Sequence, residues 1–572
     1  MNKLRAHSWI RAASTALLLA AVACSSGDDS SGGDSSAGAD DAAAASGDEV
    51  PASRTCDQGA SQDRVEAAPV AGTPSDHTIT SFDGTRIRAH WFPAPTTSTG
   101  ERAPTMLMGP GWSLPGATLA ADGGDGGDGG TNPVSSGALD IGRLNEAGYN
   151  VLTWDPRGFG ASTGTVTVND PDHEGRDVQV LLDWVATQHE ARLDTQGDPR
   201  AGMVGASYGG GIQLTVAGID CRVDALVPNV AWHSLETSLF RNETVKAGWA
   251  RLLDTAAAGA DRDPHLVEAA DAGLTTGVLD DDMIEWFRDR GPGDLVDQIT
   301  APTLLVHGTV DTLFTPGEAV ANFTALRSAG TPVAMLWYCG GHGACLTDPG
   351  DPAIVTERTL AWLDHYLHDN PEADTGPVVD IVDQDGRRWV GDDLPDGADD
   401  PLTARGDGGA LALTADSVAG PITPAGSDDI LAGLVAGFTP GRADRAVEMT
   451  LEADRDALVL GAPRVTLTYR GTTPDGPEPT RMFAQLVDDE SGGHVFGNQI
   501  TPVPLTLDGD EHTAQVDLEV VAHHLVEGAR VILQLVATTP AYATPRLGGE
   551  LTVTDIALEL PTTDDLSPAP DD

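Results

Sequence analysis

The sequence predicts an α/β protein, in which a mostly parallel, doubly wound sheet is followed by a second domain made of strands alone. Short apolar runs alternate with helical patterns between Asp76 and His368, which is typical of parallel strands joined by crossover helices. After Asp374 the pattern changes to short alternating runs separated by Gly, Pro and Asp clusters, and this favours a β-sandwich. A chain of 572 residues is also too long for one hydrophobic core.

The α/β domain is assigned to residues 71–370. It begins with strands at 77–82 and 85–92, which alternate in polarity around the turn dipeptide Asp83-Gly84 and therefore predict a hairpin. The following strand, helix and strand, and the later elements, repeat the order expected of a parallel sheet. Strands are predicted at residues 105–108, 149–154, 202–204, 225–227, 303–306 and 333–337, and helices at 138–147, 178–185 and 353–368.

Two insertions interrupt this pattern. Residues 122–130 repeat Asp-Gly-Gly, which indicates a flexible loop and, as an alternative, a calcium-binding coil. Residues 231–300 carry apolar side chains at helical spacing and predict a helical cap over the edge of the sheet. The all-β domain is assigned to residues 375–562, and residues 563–572 to a disordered tail.

The N-terminus predicts export. Basic residues precede an apolar run at 16–23 that ends at Cys24, so residues 1–23 are assigned to a signal peptide. Cys24 after small residues resembles a lipoprotein box, which makes it the lipidated N-terminus of an envelope protein held to the membrane by lipid alone. Plain secretion is the alternative. Residues 24–70 contain almost no large apolar side chains and are assigned to a disordered tether.

The remaining cysteines are Cys56, Cys221, Cys339 and Cys345. An even number in an oxidising compartment predicts disulfides. Three pairings are possible, of which Cys339 with Cys345 and Cys56 with Cys221 is favoured; free buried thiols are the alternative.

The composition limits the partners. The formal charge of −54 argues against nucleic acid and anionic lipid, since both bind basic surfaces. Nothing in the sequence resembles a zinc site and no cofactor is implied. The expected partner is a small ester or peptide substrate, and the oligomeric state is left open.

Ser207 is the candidate nucleophile. It lies in Gly205-Ala206-Ser207-Tyr208-Gly209, between a predicted strand and a predicted helix, where the flanking glycines permit the sharp turn that presents a serine hydroxyl. The motif alone is common, so it requires an acid and a histidine later in the chain, each following a strand.

Asp311 and His342 meet that requirement. Asp311 follows the strand at 303–306, and His342 follows the strand at 333–337 among small residues. The rival acids Asp281 and Asp282 lie in the predicted cap. The rival histidine His233 begins the cap and is interpreted as pocket wall, and His307 ends a strand and is interpreted as structural.

This order predicts acyl transfer. His342 would accept the proton of Ser207, and Asp311 would orient the imidazole. Main-chain amides of Tyr208 and Trp112 would hold the oxyanion. Trp232 and His233, at the start of the cap, are predicted to form a wall of the substrate pocket.

With these residues identified, the chain resembles the X-Pro dipeptidyl-peptidase and cocaine-esterase family of serine hydrolases. Residues 205–210 match its G-x-S-Y-G-G elbow, and residues 155–164 match its D-x-R-G-x-G-x-S-x-G loop. Asp183-Trp184 matches the helix before the elbow, and residues 461–465 and 483–488 resemble its C-terminal jelly roll. The resemblance implies an α/β-hydrolase fold with a jelly-roll sandwich, the same triad, and the Tyr208 amide in the oxyanion hole.

One departure bears on substrate. The family places a tyrosine hydroxyl in the oxyanion hole, whereas the corresponding loop here reads Gly109-Pro110-Gly111-Trp112. The sequence therefore favours an exported carboxylesterase-like hydrolase. The alternatives are an X-Pro dipeptidyl-peptidase and, in another class, a binding lipoprotein without catalysis.

Overall fold

The structure is a computed structural model. It describes residues 73–95, 101–118, 140–395, 400–422, 434–474, 479–490 and 492–570. The predicted signal peptide, Cys24, the tether, Cys56 and the Asp-Gly-Gly loop at 122–130 lie outside these ranges, so lipidation and export stay predictions.

An eleven-stranded sheet forms the centre of the α/β domain. Its spatial order is β1-β2-β4-β3-β5-β6-β7-β8-β9-β10, ending in the short strand Ser567–Pro568. Strands β4, β3, β5, β6, β7, β8 and β9 pair in parallel, and the strands at both edges are antiparallel. The bounds are β1 Ser75–Thr80, β2 Arg86–Phe92, β3 Thr105–Gly109, β4 Asn150–Trp154, β5 Ala201–Ala206, β6 Val223–Asn229, β7 Thr303–Gly308, β8 Val333–Tyr338, β9 Val379–Val382 and β10 Arg388–Gly391.

Helices cover both faces of this sheet, because successive side chains of a strand point to opposite faces. Met203 and Leu305 pack in one core with Leu181 of α2, whereas Val204 and Leu304 pack in the other. The sheet is therefore doubly wound, as predicted. The helices are α1 Ile141–Glu146, α2 Arg176–Thr187, α3 Tyr208–Ile219, α4 Leu235–Leu239, α5 Ala247–Ala256, α6 Pro264–Thr276, α7 Asp281–Arg288, α8 Pro316–Ala329 and α9 Ile354–Leu367.

The predicted cap is helical. Helices α4 to α7 follow β6. Their apolar side chains form one cluster with Leu313 and Phe314, which follow Asp311 in the chain. Among the described residues, no helix is long and apolar enough to cross a membrane.

The all-β domain is a sandwich around its own apolar core, which includes Leu467, Leu486 and Leu533. One sheet has the order β11-β21-β15-β18 with β12 also on β21; a second has β13-β20-β16-β17; and a third joins β19 and β14 to Thr562–Thr563. The strands are β11 Leu402–Gly406, β12 Ala410–Ala412, β13 Val447–Glu452, β14 Ala457–Gly461, β15 Arg464–Thr472, β16 Thr480–Asp488, β17 Thr501–Leu505, β18 Asp508–Asp517, β19 Val521–Leu525, β20 Arg530–Val536 and β21 Glu550–Leu560.

The sequence assigned two segments wrongly. β9 and β10, placed by sequence in the sandwich, extend the α/β sheet, since β9 pairs in parallel with β8. Ser567–Pro568, placed in a disordered tail, pairs with β10. Both segments are short, and their own sequence pattern does not distinguish the two sheets. Each joins the α/β sheet because it pairs with an edge that is otherwise free, β9 with β8 and Ser567–Pro568 with β10.

Candidate active site

Ser207 occupies a strained turn between β5 and α3. Its φ of 53° and ψ of −110° lie in a region that non-glycine residues avoid. Its main-chain N–H donates to the carbonyl of Asn229 at 3.0 Å, and its own carbonyl accepts from Gly210 and Gly211 at 2.9 Å. The residue is 4% exposed and lines a covered cavity.

The three predicted catalytic residues follow parallel strands at the same sheet edge. Ser207 follows β5, Asp311 follows β7 and His342 follows β8. These strands are joined in the order β5-β6-β7-β8, and the carboxyl ends of parallel strands meet at one edge. The sheet therefore brings the three residues to the same side of the molecule.

Asp311 and His342 form a buried pair. Nδ1 of His342 lies 2.6 Å from Oδ2 of Asp311, which also accepts the main-chain N–H of His342 at 2.9 Å. Oδ1 of Asp311 accepts from the main-chain N–H groups of Leu313 and Phe314, each at 2.9 Å. Burial alone would raise the pKa of Asp311, but the adjacent imidazole and its hydrogen bond outweigh burial and hold that pKa below its usual value.

Small residues and a disulfide shape the loop that carries His342. A Cβ on Gly343 would lie 1.8 Å from the carbonyl oxygen of Val310, so only glycine allows this close approach to the acid turn. Cys339 and Cys345 are disulfide-bonded with their Cα atoms 5.4 Å apart, which confirms that predicted pair. Cys221 is also disulfide-bonded, while its predicted partner Cys56 lies outside the described residues.

Aromatic side chains pack around the imidazole of His342. Phe314 lines the cavity beside Ser207, and its ring centroid lies 5.1 Å from that of His342. The ring of Trp249 lies 5.7 Å from the same imidazole, edge to face. The histidine is thus enclosed by apolar rings, and its orientation is set by packing as well as by Asp311.

Trp112 and Tyr208, the predicted oxyanion residues, both line the cavity next to Ser207. Their ring centroids are 5.2 Å apart. The indole Nε1 of Trp112 donates to the main-chain carbonyl of Leu253 in the cap at 3.0 Å. The cap therefore fixes the loop after β3 against the first turn of α3.

A polar network that the sequence did not indicate supports that first turn. Nδ2 of Asn169 donates to the carbonyl of Tyr208 at 2.8 Å. The Tyr208 hydroxyl donates to Oε1 of Glu174 at 3.3 Å, and Thr167 also donates to Glu174. Burial raises the pKa of both Tyr208 and Glu174. These partners lie more than thirty residues before Tyr208, so no local motif reveals them.

Ser207 lines an apolar cavity that is partly open to solvent. Asp254 and Arg262 are the charged residues among the described side chains that line it, and they form an ion pair with each other. Most of the wall comes from apolar side chains of the cap. Those on the cap helices include Leu235, Leu239, Ala250, Leu253, Leu266, Ala269, Ala270 and Phe287.

The two residues predicted to form the pocket wall differ in their position relative to the cavity. Trp232 lines the cavity, whereas His233 is not among the described lining residues. The main-chain N–H of His233 donates to Glu318 at 2.8 Å, at the base of the cap. Burial lowers the pKa of His233, consistent with a neutral ring behind the pocket.

The rival residues lie elsewhere. Asp281 and Asp282 are in the first turn of α7. His307 is fully buried, and its Nε2 is 2.9 Å from the carbonyl of Phe314, in agreement with a structural role.

Sequence comparison identifies the α/β domain. Residues 83–344 match the family model of the X-Pro dipeptidyl-peptidase (S15 family). An uncharacterized 31.7 kDa protein in the traX-finO intergenic region of Escherichia coli is 29% identical over 179 residues, which cover 31% of this chain and 59% of that protein. Polyketide transferase grgF of a Penicillium species is 29% identical over 154 residues, 27% of this chain and 43% of the transferase. The chain thus spans less than two thirds of these curated relatives.

Solved structures share the whole fold. A CocE/NonD family hydrolase from Staphylococcus aureus has a TM-score of 0.58 at 13% identity, covering 88% of this chain and 99% of that one. An α-amino acid ester hydrolase gives 0.61 at 14%, covering 88% and 98%.

An aminopeptidase from a marine sediment archaeon, Thaumarchaeota archaeon, gives a TM-score of 0.62 at 14% identity, covering 92% of this chain and all of that one (100%). Likeness at this identity establishes the fold, an α/β-hydrolase fold with a β-sandwich. Residues 83–344 therefore resemble the X-Pro dipeptidyl-peptidase (S15) family.

Proposed function

We propose that the chain is a carboxylesterase that hydrolyses esters with bulky apolar acyl groups through an acyl-enzyme on Ser207. The observation that carries this proposal is the cavity next to Ser207, whose described lining is apolar apart from Ser207, Tyr208 and the ion pair of Asp254 with Arg262. An apolar acyl chain gains about 0.8 kcal/mol for each methylene it buries in such a wall.

The hydrogen bond between Asp311 and His342 supports the following roles. The Nδ1–H of His342, held by Asp311, leaves Nε2 to accept the proton of Ser207 as its oxygen attacks the ester carbonyl. The main-chain N–H groups of Tyr208 and Trp112 stabilise the tetrahedral oxyanion. The alcohol leaves with the proton from His342, and water then hydrolyses the acyl-enzyme by the same route.

The cavity argues against a dipeptidyl-peptidase. An exopeptidase must bind the substrate ammonium group, and a buried charge requires a partner of opposite sign. Asp254 is the carboxylate among the described lining residues, and Arg262 already neutralises it.

Kinetics with model substrates test this proposal. We expect hydrolysis of p-nitrophenyl butyrate and hexanoate and little hydrolysis of a Gly-Pro anilide. Ser207→Ala and His342→Ala should each lower kcat by about 10⁴-fold or more, and a fluorophosphonate should label the wild type but not Ser207→Ala. Turnover of the anilide alone would overturn the esterase assignment, and a wild type that neither turns over esters nor takes the label would favour a binding protein.

A further inference from the structure

We propose that a turn of the β-sandwich, residues 496–499, is a positioning element for the Asp311–His342 pair. We call it the bridging turn. It includes the short helical turn Phe496–Asn498, after β16 and before β17. The inference rests on the proposed function, because it assumes that Asp311 and His342 act in catalysis.

Side-chain amides of the bridging turn contact two loops. We call them the acid loop, which follows β7 and carries Asp311, and the base loop, which follows β8 and carries His342. Nε2 of Gln499 donates to the main-chain carbonyl of Asp311. Nδ2 of Asn498 donates at 2.9 Å to the carbonyl of Ala344, two residues after His342. One turn of another domain therefore joins the acid loop to the base loop through two hydrogen bonds.

The bridging turn is itself fixed from the α/β domain. Oε1 of Gln384, just after β9, accepts the main-chain N–H of Gly497 at 2.8 Å, and its Nε2 donates to the carbonyl of Val495 at 2.9 Å. Asn498 has a φ of 56°, a conformation that asparagine tolerates better than most residues. Gln384, Asn498 and Gln499 are all at most 8% exposed, so water does not compete for these bonds.

Three consecutive residues of the acid loop, 311 to 313, accept hydrogen bonds from side chains outside that loop. After Gln499 at Asp311, the indole of Trp249 donates to Oγ1 of Thr312 at 3.1 Å, and Nζ of Lys246 donates to the carbonyl of Leu313 at 2.8 Å. Those two come from the cap. Trp249 also packs against the ring of His342, whereas the bridging turn donates hydrogen bonds to both the acid loop and the base loop. Among these side-chain contacts, the one to the Asp311 carbonyl is nearest the carboxylate itself.

This arrangement matters for chemistry because a buried carbonyl that loses its donor must find another partner. Rotation of the Asp311 peptide would move the carboxylate that orients His342. A displacement of 1 Å in a catalytic group can cost about 100-fold in rate. Substrate binding would change little, since neither amide is among the described cavity-lining residues.

The test compares three variants of the full chain with p-nitrophenyl butyrate. Gln499→Met removes the donor and keeps side-chain length, and Asn498→Gly removes the other donor while keeping the backbone conformation available. Gln485→Met is the matched control, because Gln485 is also buried but bonds within the sandwich, to the carbonyl of Gly441 and to Gln534.

We expect Gln499→Met to lower kcat about 10- to 100-fold with KM changed less than about 2-fold, and Asn498→Gly to act in the same direction. Gln485→Met should keep kcat within about 2-fold even where it lowers Tm. Near-wild-type kcat in both bridging-turn variants would overturn the inference, as would an equal loss in Gln485→Met. If Gln499→Met does not fold, Asn498→Gly decides.

Together with Ser207→Ala, these variants separate the failure of the proposed function from the failure of the inference. Ser207→Ala with the wild-type rate overturns the proposed function and the inference with it. Loss of activity in Ser207→Ala together with unchanged kcat in the bridging-turn variants overturns the inference alone.

Discussion

At the scale of single residues, Gly209 shows how little space the nucleophile turn leaves. A Cβ at this position would lie 2.2 Å from the carbonyl oxygen of Gly109 and 3.0 Å from that of Pro110. Both contacts are backbone, so either β3 or α3 must move to admit a methyl group. Because α3 begins directly after Ser207, such a movement displaces the serine and the Tyr208 amide.

We therefore expect Gly209→Ala to lower kcat/KM for p-nitrophenyl butyrate about 100-fold and to lower Tm as well. Gly259→Ala is the control, because nothing lies within 4 Å of a Cβ there, and it should leave both quantities unchanged. Wild-type activity in Gly209→Ala would show that the turn is less tightly packed than its contacts imply.

Residues of the candidate site differ in how far the sequence predicts them. Ser207 stands directly after β5, and Asp311 and His342 stand three and four residues after the ends of β7 and β8, so local pattern and chain order indicate them. Asn169, Glu174 and Gln499 act through contacts to residues far away in the chain. Nothing in their own neighbourhoods distinguishes them from ordinary loop residues.

At the scale of elements, helix α6 forms one part of the cavity wall. Ala270 lines it, whereas Ala272 on the same helix packs against the cap cluster and is not among the described lining residues. Both side chains are half-buried. Substitution of Ala270 should therefore change which substrates fit the cavity, and the same substitution at Ala272 serves as the control on the same helix.

We expect Ala270→Leu to fill part of the cavity and to lower kcat/KM for p-nitrophenyl hexanoate by about 10-fold or more, while p-nitrophenyl acetate changes less than about 2-fold. Ala272→Leu should leave the ratio of the two substrates unchanged. An equal loss on both esters in Ala270→Leu would mean that the acyl group does not enter this cavity.

The sequence predicts elements well where their pattern is local. The alternation around Asp83-Gly84 predicts the hairpin of β1 and β2, which pair in the register Ser75 to Trp91 through Thr80 to Arg86. The cap is recognised as helical from its apolar spacing. β9 is misassigned because a four-residue buried run is compatible with either sheet, and its pairing with β8 depends on a free edge that sequence does not show.

At the scale of the whole molecule, the sandwich and the α/β domain interlock. Besides the bridging turn, Oγ1 of Thr315 donates to Glu519 at 2.9 Å, and Arg481 donates to Oγ1 of Thr244 in the cap at 2.8 Å. The main-chain N–H of Gly248 donates to the carbonyl of Ala541 at 3.1 Å. The sandwich therefore contacts both the cap and the acid turn, which couples its stability to that of the site.

The excess of acidic residues opposes this compact arrangement. With 87 acidic and 33 basic residues, like charges repel over the folded surface more than in the expanded chain. Buried pairs such as Arg157 with Asp177 and Arg222 with Asp220, each 3% exposed or less at the side chain, are screened little by salt. Added salt should therefore weaken the repulsion more than the attraction.

We expect Tm to rise by several degrees when NaCl is increased from about 0.1 M to about 1 M, because the screening length falls from about 10 Å to about 3 Å. KCl at the same ionic strength should have the same effect. A Tm that falls with salt would show that exposed ion pairs stabilise the fold more than the net charge of −54 destabilises it. Differential scanning calorimetry on the full chain distinguishes these outcomes.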